Sequence, residues 1–129
     1  MKIIKSLFAF ATHFSEKSLP EFALLEKWIQ IKAYEEIITK TFQSKEVDLK
    51  LIKSNSKILS EHSDSLSVEN MPREFRNPKL IKTLLILKKN TKLLHQLVEK
   101  KASDSEIKIA SEVLLDTFNK IIKLCVTAE

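Results

Sequence analysis

The sequence predicts an all-α fold, an up-down-up-down four-helix bundle with an extra short helix at the N-terminus. Three observations predict it. Apolar residues recur at steps of three and four through every long interval of the chain. No segment alternates with period two for long. Glycine is absent, which leaves no ready residue for the positive-φ hairpin turns of β proteins. The 129 residues make one domain, 1–129, large enough to bury a real core.

The elements follow from the breaks between them. Breaks fall at Ser15–Pro20, at Phe42–Lys45, at Glu69–Pro78 and, more weakly, at Ala102–Asp104. Residues 2–14 place Ile3, Leu7, Phe10 and Phe14 on one stripe, a short amphipathic helix. Ser18 and Glu21 then form a capping box with Pro20 in the first turn, so a helix should start near Leu19. Its seam runs Leu24, Trp28, Ile31, Glu35, Ile38, Phe42. The next helix, about 45–67, puts Val47, Leu51, Ile52, Asn55, Ile58, Leu59, His62 and Leu66 on one face. Asn77 followed by Pro78 is a helix start, a capping side chain ahead of a residue with φ already set. That helix has the seam Leu80, Leu84, Leu87, Thr91, Leu94, Val98. Ser103 and Glu106 repeat the capping box before Ile107, Ala110, Leu114, Phe118, Ile121 and Cys125.

Four rods of roughly 22–25 residues, near 35 Å each, joined by short loops imply antiparallel neighbours. The helix from 78 to 101 is the most apolar. Its Leu, Ile and Val residues cover most of its circumference, so it is expected to be buried on several sides or covered by the N-terminal helix or a second chain.

Composition excludes several functions. Without glycine there is no phosphate-cradling loop and no dinucleotide fingerprint. One cysteine, Cys125, excludes an intrachain disulfide framework and a multi-thiolate zinc site. The N-terminal run Leu7–Ala11 is short for a signal peptide, and no apolar run approaches the ~20 residues of a membrane span. These features point to a cytoplasmic protein. No cofactor and no metal are implied: no Glu is followed three residues later by His, as bundle di-iron sites require. His13, His62 and His95 lack the context of a catalytic base, and Cys125 lies on a core seam. The chain therefore reads as a non-enzyme.

Three constellations remain. The first is a set of polar residues on apolar seams. Pairing positions about the three loops brings Glu35, Asn55, Thr91 with His95, and Ser111 to about one height, one set from each helix. The ordinary reading is a hydrogen-bonded layer that fixes helix register; the functional reading is a small-molecule pocket in the core. The second is a basic segment. Residues 71–101 hold nine Lys/Arg against Glu74 and Glu99, a net of +7 within a chain of net +5. Arg73, Arg76, Lys79, Lys82, Lys89, Lys92 and Lys100 would form its exposed face. Such a face is ordinarily just solvated; functionally it would attract nucleic-acid phosphates, although no aromatic or Asn/Gln cluster accompanies the lysines for base recognition. The third is aromatic. Seven of nine aromatics lie in the first 42 residues, and Phe8, Phe10 and Phe14 form a candidate partner surface. The leading expectation is a non-catalytic interaction protein that binds another protein or itself as a homodimer. Weak nucleic-acid binding is second and small-molecule binding third.

Overall fold

A computed structural model describes residues 27–42 and 48–127. The N-terminal helix, with Phe8, Phe10 and Phe14, lies outside the described residues, as does the capping box at Ser18. Within them the chain is all-helical, with no strand. Four α-helices follow one another: α1 (Ile29–Thr41), α2 (Leu49–Asp64), α3 (Pro78–Glu99) and α4 (Asp104–Thr127). A single 3-10 turn, Arg73–Phe75, interrupts the connection from α2 to α3.

Two helix starts are as the sequence predicts them, whereas the rod expected from near Leu19 to Phe42 is broken at Trp28, whose backbone is not helical, and α1 begins at Ile29. Asn77 Oδ1 accepts from the Leu80 amide at 2.8 Å, with Pro78 in the first turn. The Ser103 hydroxyl accepts from the Glu106 amide at 3.2 Å, while Glu106 reaches back to the Ser103 amide at 3.4 Å. Each satisfies amides that the first helical turn leaves unpaired. Helix α2 starts later than the expected residue 45, because Asp48 caps it by accepting from the Leu51 amide at 3.1 Å. It also ends earlier, at Asp64 rather than near 67.

Helix α3 packs against both α2 and α4, and α1 packs mainly on α2. Two contacts fix the direction of α2 against α3. Ser56 meets His95 at 3.2 Å, and Asp64 meets Lys92 at 3.2 Å. Position rises along α2 as it falls along α3, so these two run antiparallel. Trp28, Ile31, Tyr34 and Ile38 from α1 and its start join Ile52, Leu59, Leu84, Leu87, Leu94, Leu114 and Phe118 in one fully enclosed core. The Tyr34 and Phe118 rings lie 5.5 Å apart at 41°, within the range of favourable aromatic pairing.

Two inner faces differ from the expected ones. On α1 the seam residue Glu35 is half-buried, and Tyr34 is the side chain that enters the core. Neighbouring positions of a helix point about 100° apart, and the inner stripe set by Trp28, Ile31, Ile38 and Thr41 is centred nearer Tyr34 than Glu35. On α2 the buried residues are Ile52, Ser56, Leu59 and Ser63, and Ile58 is exposed. Here two serines occupy seam positions that the apolar pattern passes over. Both return their hydroxyl to their own helix, Ser56 to Lys53 O and Ser63 to Ser60 O. Small side chains there let α3 approach closely.

The connection from 65 to 77 is tightly built. Asn70 Nδ2 donates to Ser65 O at 2.7 Å, and its Oδ1 accepts from the Trp28 indole at 2.9 Å. Phe75 and Met71 are enclosed beneath it. This loop therefore ties the start of α1 to the end of α2.

Candidate functional site

The polar residues predicted for the core form separate pairs, and none of the five bonds to another of the five among the described residues. Glu35 accepts from Thr39 on its own helix at 2.7 Å. Asn55 donates to Thr41 at 2.9 Å, near the end of α1. Thr91 meets Tyr34 at 2.7 Å. His95 Nδ1 lies 3.2 Å from the Ser56 hydroxyl, and its Nε2 lies 3.6 Å from Glu99. Ser111 donates to Ile107 O at 2.8 Å.

Tyr34 and Thr41, the partners of Thr91 and Asn55, stand seven positions apart on α1, about 10 Å of rise. The polar groups are strung along the bundle instead of meeting at one height. Among the described residues no buried side-chain nitrogen or oxygen lacks a partner. Three of the partners, Tyr34, Thr41 and Ser56, carried no signal in the apolar pattern; only three-dimensional packing reveals them.

The predicted basic face is divided among three uses. Arg76 folds back on its own loop, donating to Met71 O at 2.8 Å and Glu69 O at 3.0 Å. Lys92 pairs with Asp64. Arg73, Lys89 and Lys100 are exposed. Lys79 and Lys82 remain, and the fold brings them to Lys120 and Lys123 of α4. These four lysines, with Thr83, Ile86 and Leu124, line a cleft of about 660 Å³. The α4 lysines were not predicted, since they lie far along the chain from the basic segment. None of the four makes an ion pair with a described residue.

A second cavity of about 320 Å³ lies between the same two helices, nearer the α3–α4 turn. Leu93, Leu97, Ile109, Ala110 and Val113 line it, with Asn90 and Glu106 at its rim. Leu93 is 46% exposed, Ile109 62% and Val113 45%. An apolar strip of this kind is the feature most worth explaining on a folded surface, because isolated apolar residues are common and contiguous ones are not. Between the two cavities Asn90 donates to Thr117 at 3.1 Å. Neither cavity borders Glu35 or His95.

Cys125 is buried, and that burial pushes its thiol up to about 12. A thiol so held is a small core hydrophobe and a poor nucleophile at neutral pH. No helix among the described residues is long and apolar enough to cross a membrane. No family model, curated protein or solved structure matches this chain.

Proposed function

We propose that this chain is an up-down-up-down four-helix bundle acting as a non-catalytic interaction module, which binds another protein or a second copy of itself through the outer face of α3 and α4. One observation carries the reading: Leu93, Ile109 and Val113 stand about half or more exposed around a single apolar cavity. Covering each would contribute about 1 kcal/mol, half the value for burying a whole aliphatic side chain. The polar core offers less, since each of its buried polar groups among the described residues already has a hydrogen-bond partner. With its one cysteine buried and unpaired, the chain suits a reducing compartment such as the cytoplasm.

Light scattering after size exclusion, together with capture from a cell extract, tests the reading on wild type and on the double variant L93S/I109S. The expected result is a higher mass, or a captured protein, that the variant loses while its circular dichroism is unchanged. A monomer at every concentration, with the same proteins captured by both forms, would overturn it.

The lysine cleft favours a second reading, weak nucleic-acid binding through Lys79, Lys82, Lys120 and Lys123. It requires a gel shift at low salt that falls steeply as salt rises. No shift at low salt removes it.

A further inference from the structure

We propose that the α3–α4 groove receives an amphipathic helix of a partner protein, apolar along one stripe and acidic at one end. This rests on the interaction reading above and names the partner's chemistry.

Each of the two helices carries a second heptad seam beside its core seam. On α3 it runs Lys79, Thr83, Ile86, Asn90, Leu93, Leu97; on α4 it runs Glu106, Ala110, Val113, Thr117, Lys120, Leu124. Both step by four and three alternately, the spacing that lets side chains of one helix enter the holes of another. The core seams, one residue further on, are already buried except for the half-buried Val98. In these second seams Thr83, Ala110 and Thr117 are buried where the two helices meet, and all the seam residues except Thr117 line the two cavities, which lie on either side of the Asn90–Thr117 bond. A helix laid along the groove would meet side chains at the spacing it needs on both walls, the helix-in-groove mode of recognition.

The groove also has a direction. One end is apolar, built by Leu93, Leu97, Ile109 and Val113. The other end gathers Lys79, Lys82, Lys120 and Lys123 around an apolar floor of Ile86 and Leu124. Four like charges in one cleft repel one another, and carboxylates from outside would relieve that repulsion. Lys79 to Leu97 spans about 27 Å, so an occupant of about five helical turns fills the groove.

Other occupants fit less well. A nucleic acid would use the lysines and leave the apolar end without a role, and no arginine or aromatic lines either cavity. A second copy docked through the same groove brings only one lining carboxylate, Glu106, and that is held in its capping box. Residues 1–26 of this chain balance Lys2, Lys5 and Lys17 against Glu16, Glu21 and Glu26, so they bring no acidic excess.

Fluorescence anisotropy with the full chain tests the proposal. The probes are labelled 18-residue synthetic peptides with leucines at alternating four- and three-residue steps and four glutamates in either the first or the last two turns. Controls are the same peptides with lysine for glutamate, a 20-nucleotide single strand of DNA, and vesicles containing anionic lipid. One acidic peptide is expected to bind saturably, at least tenfold tighter than its lysine form. The variants I109S and K120E/K123E should each weaken it about tenfold, with circular dichroism melts unchanged. Only the second variant should reduce the salt dependence of binding.

Absence of saturable binding by both acidic peptides overturns the proposal. So does tighter binding to DNA or vesicles, or binding that neither variant weakens. Light scattering separates this failure from failure of the wider reading. A dimer that I109S dissociates, with no peptide binding, removes the acidic helix and keeps the interaction face.

Discussion

The hydroxyls of Tyr34 and Thr91 lie 2.7 Å apart, and both residues are fully buried. Thr91 spends its one hydrogen on the Leu87 carbonyl, also at 2.7 Å. The bond between the two residues therefore has a direction: Tyr34 donates and Thr91 accepts. It links α1 to α3 through the centre of the bundle, where an unmatched donor has no water to turn to.

That direction makes the two deletions unequal. Tyr34→Phe removes the donor and leaves Thr91 still bonded to Leu87, so it should cost about 1 kcal/mol. Thr91→Val leaves the Tyr34 hydroxyl buried without an acceptor and should cost about 2–3 kcal/mol. The double variant should cost less than the two together, by about 1 kcal/mol or more. Urea denaturation of the four proteins measures the cycle. Simple additivity would show that the bond contributes nothing specific.

The same pair shows what was legible in the sequence and what was not. Thr91 stands out as a polar residue on an apolar seam, and its burial follows from that position alone. Tyr34 does not stand out, because the strict heptad count lands on Glu35. Ser56 and Ser63 are missed for a related reason: an apolar pattern registers large side chains and passes over small ones that make room. Helix starts at Asn77 and Ser103 are local chemistry and were readable. Lys120 and Lys123 joining Lys79 and Lys82 is a tertiary event, visible only once α4 is laid against α3.

Ser56 tests the room-making role. Its hydroxyl sits 3.2 Å from His95 on α3, and the residue is almost fully enclosed. Ser56→Ala removes one modest bond and should cost about 0.5–1 kcal/mol. Ser56→Leu puts a large apolar side chain between α2 and α3, forces them apart, and should cost about 1–3 kcal/mol. Thermal melts of both variants decide between the two views. A Leu variant as stable as the wild type would show that the α2–α3 contact is not closely packed.

Alkaline stability should fall through two buried acids. Burial holds the Cys125 thiol at about 12, above its ordinary value near 9. Burial likewise raises the Tyr34 phenol above its ordinary value near 10. For a group raised on folding, the unfolded chain gives up its proton first. The stabilising contribution is therefore complete below the unfolded value and is lost as pH climbs toward the folded one. Cys125 acts first, from about 9 to about 12, with a limiting slope of about 1.4 kcal/mol per pH unit. Tyr34 adds its loss above 10. Urea midpoints from pH 8 to 11 should show a shallower decline in Cys125→Ala from pH 9 onward and in Tyr34→Phe only beyond pH 10. Curves parallel to the wild type would show that neither group is held protonated by the fold.

The end of α3 offers a gain instead of a loss. Lys101 has φ of 58°, the one positive value among described residues other than glycine. Its position explains this: the Ala102 amide reaches Leu97 O at 2.9 Å and the Lys101 amide reaches Val98 O at 3.1 Å. That pair of bonds closes a helix through a left-handed residue, a place glycine usually takes because a β-carbon there costs about 1–2 kcal/mol. The chain has no glycine anywhere, so a lysine bears the strain. Lys101→Gly should raise stability by about 0.5–1 kcal/mol, the strain relieved less the added freedom of the unfolded chain. Lys101→Ala keeps the β-carbon and should change little, whereas Lys101→Val should lose about 1 kcal/mol or more. Denaturation midpoints rising in the order Val, Ala, Gly at constant slope are the expected outcome. A glycine variant no more stable than the alanine one would mean that the α3–α4 turn does not pass through a left-handed residue at 101.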